Sequence, residues 1–276
     1  MKLCISNIAW ETDEDDAVGA VLRRNGVSAV EVAPTKYWPA PCRPSVLEIA
    51  DLRKRWEDRG QRVAALQSLL FGMPHLSIFG DGAVRKATLD YLEGMLEIAA
   101  QLGAGPLVFG SPKNRIKGDR PFERAVTDSA DFFRPLARRA ADLGVVIAFE
   151  PNPTDYHCDF ANTVTEALCV VEAVDHPGFL LNLDVGIMNL NGENAAESVA
   201  LCRTRLAHVH LSEPQLAAVP AGSHDHRPVM KALQEHGWEG LVSIEMRAGA
   251  DDRNLERVAL AVEHGASLRR PTSVRR

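Results

Sequence analysis

Eight short apolar runs, separated by longer segments of helical period, constrain this chain more than any other feature. The runs are 2–8 (KLCISNI), 28–34 (SAVEVAP), 62–70 (RVAALQSLL), 106–112 (PLVFGSP), 144–151 (GVVIAFEP), 178–184 (GFLLNLD), 205–211 (RLAHVHL) and 240–246 (GLVSIEM). Several are apolar almost throughout, as parallel strands covered on both faces must be. Between them, Leu89, Leu92, Leu96, Ala99 and Leu102 fall on one helix face, as do Phe122, Val126, Phe133, Leu136, Ala140 and Leu143. Gly26, Gly60, Gly103, Gly144 and Gly237 each close a periodic segment before a strand. Thr12 or Asp13, Ser45, Asp81, Thr163 and Asn194 are the expected helix N-caps.

Eight β-α units with short connections predict one α/β domain, a single (β/α)8 TIM barrel over 1–267, with a basic flexible tail over 268–276. A doubly wound open sheet ranks second, because no glycine-rich phosphate loop follows any strand. The formal net charge of −6 gives no general attraction to nucleic acid or to an anionic membrane. Five cysteines without C-x-x-C spacing read as reduced thiols. With no signal-peptide pattern at the N-terminus, a cytoplasmic location is expected. No run approaches the 18 or so apolar residues of a membrane span.

Four of the strands end in an ionisable residue: Glu150 closes run five, Asp184 run six and His210 run seven, and Glu245 sits near the end of run eight. A lone carboxylate there is costly to bury. Neighbouring strands of a barrel bring their ends together, and three carboxylates with one imidazole around a point need a cation between them. Hard oxygen ligands with one nitrogen suit Mn²⁺, with Mg²⁺, Co²⁺, Fe²⁺ or Zn²⁺ as alternatives.

Through FEPN (149–152), LDVGIMN (183–189), HVHLSEP (208–214) and SIEM (243–246), the chain resembles the xylose isomerase-like TIM barrels. Within them it is most similar to ketose 3-epimerases of the tagatose and psicose type. The resemblance implies that Glu150, Asp184, His210 and Glu245 hold a catalytic divalent ion, usually manganese, with Glu150 and Glu245 as the acid/base pair. It also implies a small-molecule sugar substrate and assembly, common among such barrels, as a homodimer or homotetramer; no nucleic-acid or membrane partner is expected from the acidic balance. The family carries a substrate-contacting His, Arg and Glu where this chain has Ile187, Leu216 and Tyr156. A keto-sugar glycoside, another modified or conjugated sugar, or a cyclitol is therefore expected in place of a free ketose. Trp10, Lys36, Lys113, Tyr156, His157, Glu213, His224 and His226 are the candidate substrate contacts. A lyase or dehydratase acting on a keto-sugar or keto-inositol shares the first proton abstraction and stays open as an alternative. A non-catalytic sugar-binding barrel ranks behind both. A nuclease is disfavoured by the acidic balance and by Ile187.

Overall fold

The computed structural model describes residues 1–222 and 224–269. Along them run β1 (Lys2–Ser6), α1 (Asp15–Arg24), β2 (Ala29–Val32), α2 (Val46–Asp58), β3 (Arg62–Leu66), α3 (Gly82–Leu102), β4 (Pro106–Phe109), α4 (Phe122–Asp142), β5 (Val146–Phe149), α5 (Val164–Val174), β6 (Phe179–Asp184), α6 (Val185–Asn191), α7 (Ala195–Cys202), β7 (Leu206–Ser212), α8 (Arg227–Glu235), β8 (Leu241–Glu245) and α9 (Asn254–Leu268). Each strand pairs in parallel with the next, and β8 returns to β1 from Lys2↔Leu241 to Ile5↔Ile244. The sheet is thus a closed (β/α)8 barrel and not an open, doubly wound one. Leu268 belongs to α9 and Arg269 caps it, whereas 270–276 of the expected tail lie outside the described residues.

Several strands are shorter than the apolar runs suggest. β3 stops at Leu66 and β4 at Phe109, because Ser68 (φ +55°) and Ser111 (φ +43°) turn into the left-handed region and leave the ladder. Ser45, Asp81, Thr163 and Asn194 cap helices as expected, each accepting a backbone N–H at the N-terminus it precedes. Thr12 and Asp13 do not. They lie inside a short 3-10 turn, Thr12–Glu14, where Glu14 reaches back to accept the N–H of Glu11 at 2.8 Å.

Side-chain alternation along the strands sorts the core into two layers. Outward residues pack under the helices. Phe109 and Phe149 stack at 6.1 Å, while Phe133 of α4 sits 4.6 Å from Phe179 and 5.0 Å from Phe109. These rings anchor the ends of β4, β5 and β6 from outside. The next residue after Phe149 is Glu150, and alternation turns its side chain into the barrel. The same parity sends Asn182 and Asp184, His208, His210 and Ser212, and Ser243 and Glu245 inward.

Candidate metal centre

Glu150, Asp184, His210 and Glu245 converge at the C-terminal mouth, all at most 8% exposed, with one ligand atom from each within 4.8 Å of the others. Nδ1 of His210 lies 3.0 Å from Glu150 Oε1, 3.2 Å from Glu245 Oε2 and 3.6 Å from Asp184 Oδ2. It makes no well-formed hydrogen bond to any of them, although it is buried. A nitrogen lone pair and three carboxylate oxygens aimed at one point fit a shared cation. Opposite ligands of an octahedral ion are separated by about 4.2 Å, twice the metal–oxygen distance.

Local structure holds each ligand. Asn182 donates to Glu150 Oε1 at 2.7 Å, and Asn152 donates to Oε2 at 3.2 Å. Gly110 supplies the space, since a Cβ there would stand 2.5 Å from Glu150 Oε2. Asp184 caps α6: its Oδ1 accepts from Ile187 N at 2.7 Å and from Ser212 Oγ at 2.8 Å, so Oδ2 faces the centre. Gly186 is required beside it, where a Cβ would meet the Glu213 backbone at 2.8 Å. Beneath His210, Glu31 lies with both carboxylate oxygens near Nε2, Oε1 at 3.3 Å and Oε2 at 3.2 Å.

Electrostatics favour a cation as well. Burial pushes the Glu245 carboxyl up to about 7; His210 opposes this, and the charges of Glu150 and Asp184 add to it. Burial alone would lower His210, but the charges of Glu245 and Glu31, with the carboxylates of Asp184 and Glu150 close beside it, outweigh it and carry the imidazole well above its ordinary range. A divalent ion relieves both stresses by keeping the carboxylates ionised and the imidazole neutral.

A cavity of about 250 Å³ opens above these four side chains. Its walls include Gln67, Ser111, Asn152, Gln215 and Arg247, together with Ile187, Leu216 and Tyr156. Tyr156 accepts the N–H of Gln215 at 2.9 Å, which leaves its hydroxyl proton to donate. Burial pushes that phenol up to about 12, so it stays protonated.

The other expected contacts divide. Glu213 lines the cavity, and its Oε2 lies 3.1 Å from His224 Nδ1. His226 Nε2 is 3.8 Å from Glu213 Oε1 and bonds the Ser212 carbonyl at 3.1 Å. Both histidines stand behind Glu213, lining an outer depression with His264. Trp10 is away from the walls: the 3-10 turn Asn7–Ala9 carries it off β1 into the helical layer. There it is 0% exposed, donates to Asp15 at 2.8 Å and meets Trp56 edge-on. Lys36 pairs with Glu11 at 3.3 Å and with the Trp10 carbonyl, and Lys113 and His157 are exposed on their loops, outside the cavity lining. Sequence reasoning passed over Glu31, Asn152 and Asn182. An acid inside a four-residue buried strand was the available signal for Glu31.

A family model described as a xylose isomerase-like TIM barrel matches residues 20–269. The chain belongs to this family. A ketose 3-epimerase of Arthrobacter globiformis is 27% identical over 169 residues, 60% of this chain and 57% of that protein. The 3-dehydro-D-guloside 4-epimerase of Escherichia coli is 27% identical over 178 residues, 59% of this chain and 65% of that protein. The chain thus matches less than two thirds of the length of either relative. Among solved structures, a D-psicose 3-epimerase from Clostridium cellulolyticum H10 with D-tagatose superposes with a TM-score of 0.81 at 19% identity, covering 97% of this chain and 98% of that one. A 3-keto-D-glucoside 4-epimerase from E. coli superposes with a TM-score of 0.75 at 21% identity, covering 98% and 99%. Among the described residues, no helix is long and apolar enough to cross a membrane.

Proposed function

We propose that this member of the family is a divalent-metal-dependent epimerase or isomerase of a keto-sugar, with Mn²⁺ as the preferred ion. The observation that carries the reading is the pair Glu150 and Glu245, held with Asp184 and His210 so that four ligand atoms lie within 4.8 Å at the floor of one cavity. A bound ion supplies Lewis-acid polarisation of the substrate carbonyl and offsets the charge that develops on its oxygen. The remaining chemistry belongs to the chain. One glutamate takes the proton from the carbon next to the ketone, and the C–H electron pair moves into the enediolate. The other glutamate returns a proton to the opposite face, and the two carboxyls exchange their protons with solvent between turnovers. Asn152 and Asn182 hold Glu150 at its working angle.

The wall favours a conjugated keto-sugar over a free ketose. Ile187 and Leu216 offer apolar surface for an aglycone, and Tyr156 offers a single hydroxyl donor. The E. coli names, a 3-dehydro-guloside 4-epimerase and a 3-keto-glucoside 4-epimerase, describe the two sides of one C4 epimerisation of a keto-glycoside, and this agrees with such a wall.

The test is incubation with methyl 3-keto-D-glucoside and, separately, with D-psicose, in D₂O with Mn²⁺. Deuterium at the carbon beside the ketone of recovered sugar, lost when EDTA strips the protein, is the expected result. Release of methanol or loss of water without a deuterated epimer would replace the epimerase reading with elimination. The absence of exchange with either sugar in metal-loaded protein would remove both.

A further inference from the structure

Glu31 is a carboxylate where packing asks for none. It is 0% exposed in the middle of β2, and its side chain crosses the barrel interior to residues 179 and 212 positions away. Burying such a charge is expensive unless every oxygen is matched. Here both are. Ser243 Oγ donates to Oε2 at 2.7 Å, His208 Nε2 lies 3.2 Å from Oε1, and His210 Nε2 sits between the two oxygens at 3.2 and 3.3 Å.

We propose that Glu31 is the positioning residue of the metal centre: it takes the Nε2–H of His210 and so turns the Nδ1 lone pair toward the ion. The inference rests on the metal reading above. A neutral imidazole has one N–H and one lone pair. Three carboxylates crowd Nδ1, and left alone they would draw the proton to that side, where it blocks the ion. Glu31 is the opposing acceptor. A carboxylate can only accept, so its place beneath Nε2 fixes the tautomer, and its anchoring by Ser243 fixes where that acceptor stands. His210 thereby presents one nitrogen to each of two acid groups.

The cluster Glu31, His208 and His210 could otherwise be read as a second metal site. That would require Nε2 of His210 to coordinate while Nδ1 also coordinates, so the ring would have to lose both protons. It would also displace the hydrogen bond that Ser243 already gives Glu31. The position assigns Glu31 to the imidazole and not to an ion of its own.

Titration of metal-stripped protein with Mn²⁺, followed by the EPR signal of free Mn²⁺, tests this. The wild type should bind one ion per chain, and Glu31→Gln, close in shape, should bind it 10- to 100-fold more weakly with an unchanged far-UV CD spectrum. Independently of any variant, ¹⁵N-histidine NMR of wild type loaded with diamagnetic Zn²⁺ should show His210 protonated at Nε2 and bare at Nδ1. Wild-type affinity in folded Glu31→Gln, two ions per wild-type chain, or an Nδ1–H on His210 would each overturn the role. A wild type that binds no ion would instead bring down the metal reading itself, so the two failures are distinguishable.

Discussion

At the end of the barrel where helices hand over to strands, Gly26, Gly60, Gly103, Gly144 and Gly237 make the turns, all at positive φ between 68° and 85°. Glycine carries no steric penalty there. At the opposite end, Ser68, Ser111, Gln215 and Leu216 occupy the same left-handed region with side chains attached, and all four line the cavity. Each such residue costs roughly 1–2 kcal/mol relative to a relaxed backbone. Asp175 (φ +47°), after α5, is the exception at the first end; elsewhere glycine makes its turns, whereas the second end sets side chains on such turns at particular points of the cavity. The contrast shows where in this fold stability has been given up for chemistry.

That contrast can be broken or sharpened by substitution. The largest effect is expected at the mouth. Glu245→Gln should lower solvent-deuterium exchange into a keto-sugar by about 10²- to 10⁴-fold. Its thermal midpoint should hold or rise, because a buried like charge has been removed; a collapse of the midpoint would make Glu245 a structural residue. Next comes the outer packing. Phe133→Ala should cost about 3–5 kcal/mol in urea unfolding, since the ring contacts Phe109, Phe132, Phe149 and Phe179. At the turn end, Gly103→Ala should cost about 1–2 kcal/mol of stability and leave kcat and KM unchanged. Leu216→Gly should do the reverse, raising the unfolding midpoint while raising KM severalfold as the wall is lost. The smallest effect is Tyr156→Phe, which exposes the Gln215 N–H at a cost of about 1 kcal/mol, read as a few-fold rise in KM with little change in kcat.

The convergence of Glu150, Asp184, His210 and Glu245 was legible because each is an ionisable residue at the end of an apolar strand, and barrel topology alone brings adjacent strand ends together. The expected caps at Ser45, Asp81, Thr163 and Asn194 were legible for a similar reason, being local rules of three or four residues. Glu31 was not, because its meaning lies in His210, 179 positions away, and nothing local announces that partner. Asn182 and Asn152 share this difficulty: an amide inside or just after a strand becomes informative only when the carboxylate it holds is located. Trp10, Lys36 and Lys113 lie outside the cavity lining for the opposite reason. Following a strand places a residue near the mouth, but the direction of its side chain depends on turns such as Asn7–Ala9, whose geometry the sequence pattern does not specify.

Anomalous diffraction at the manganese edge, from crystals grown with Mn²⁺, tests the central claim most directly. One peak per chain is expected, roughly 2.0–2.6 Å from oxygens of Glu150, Asp184 and Glu245 and from Nδ1 of His210. No peak there at full Mn²⁺ saturation, or a peak that leaves any of the four side chains out of reach, would contradict it.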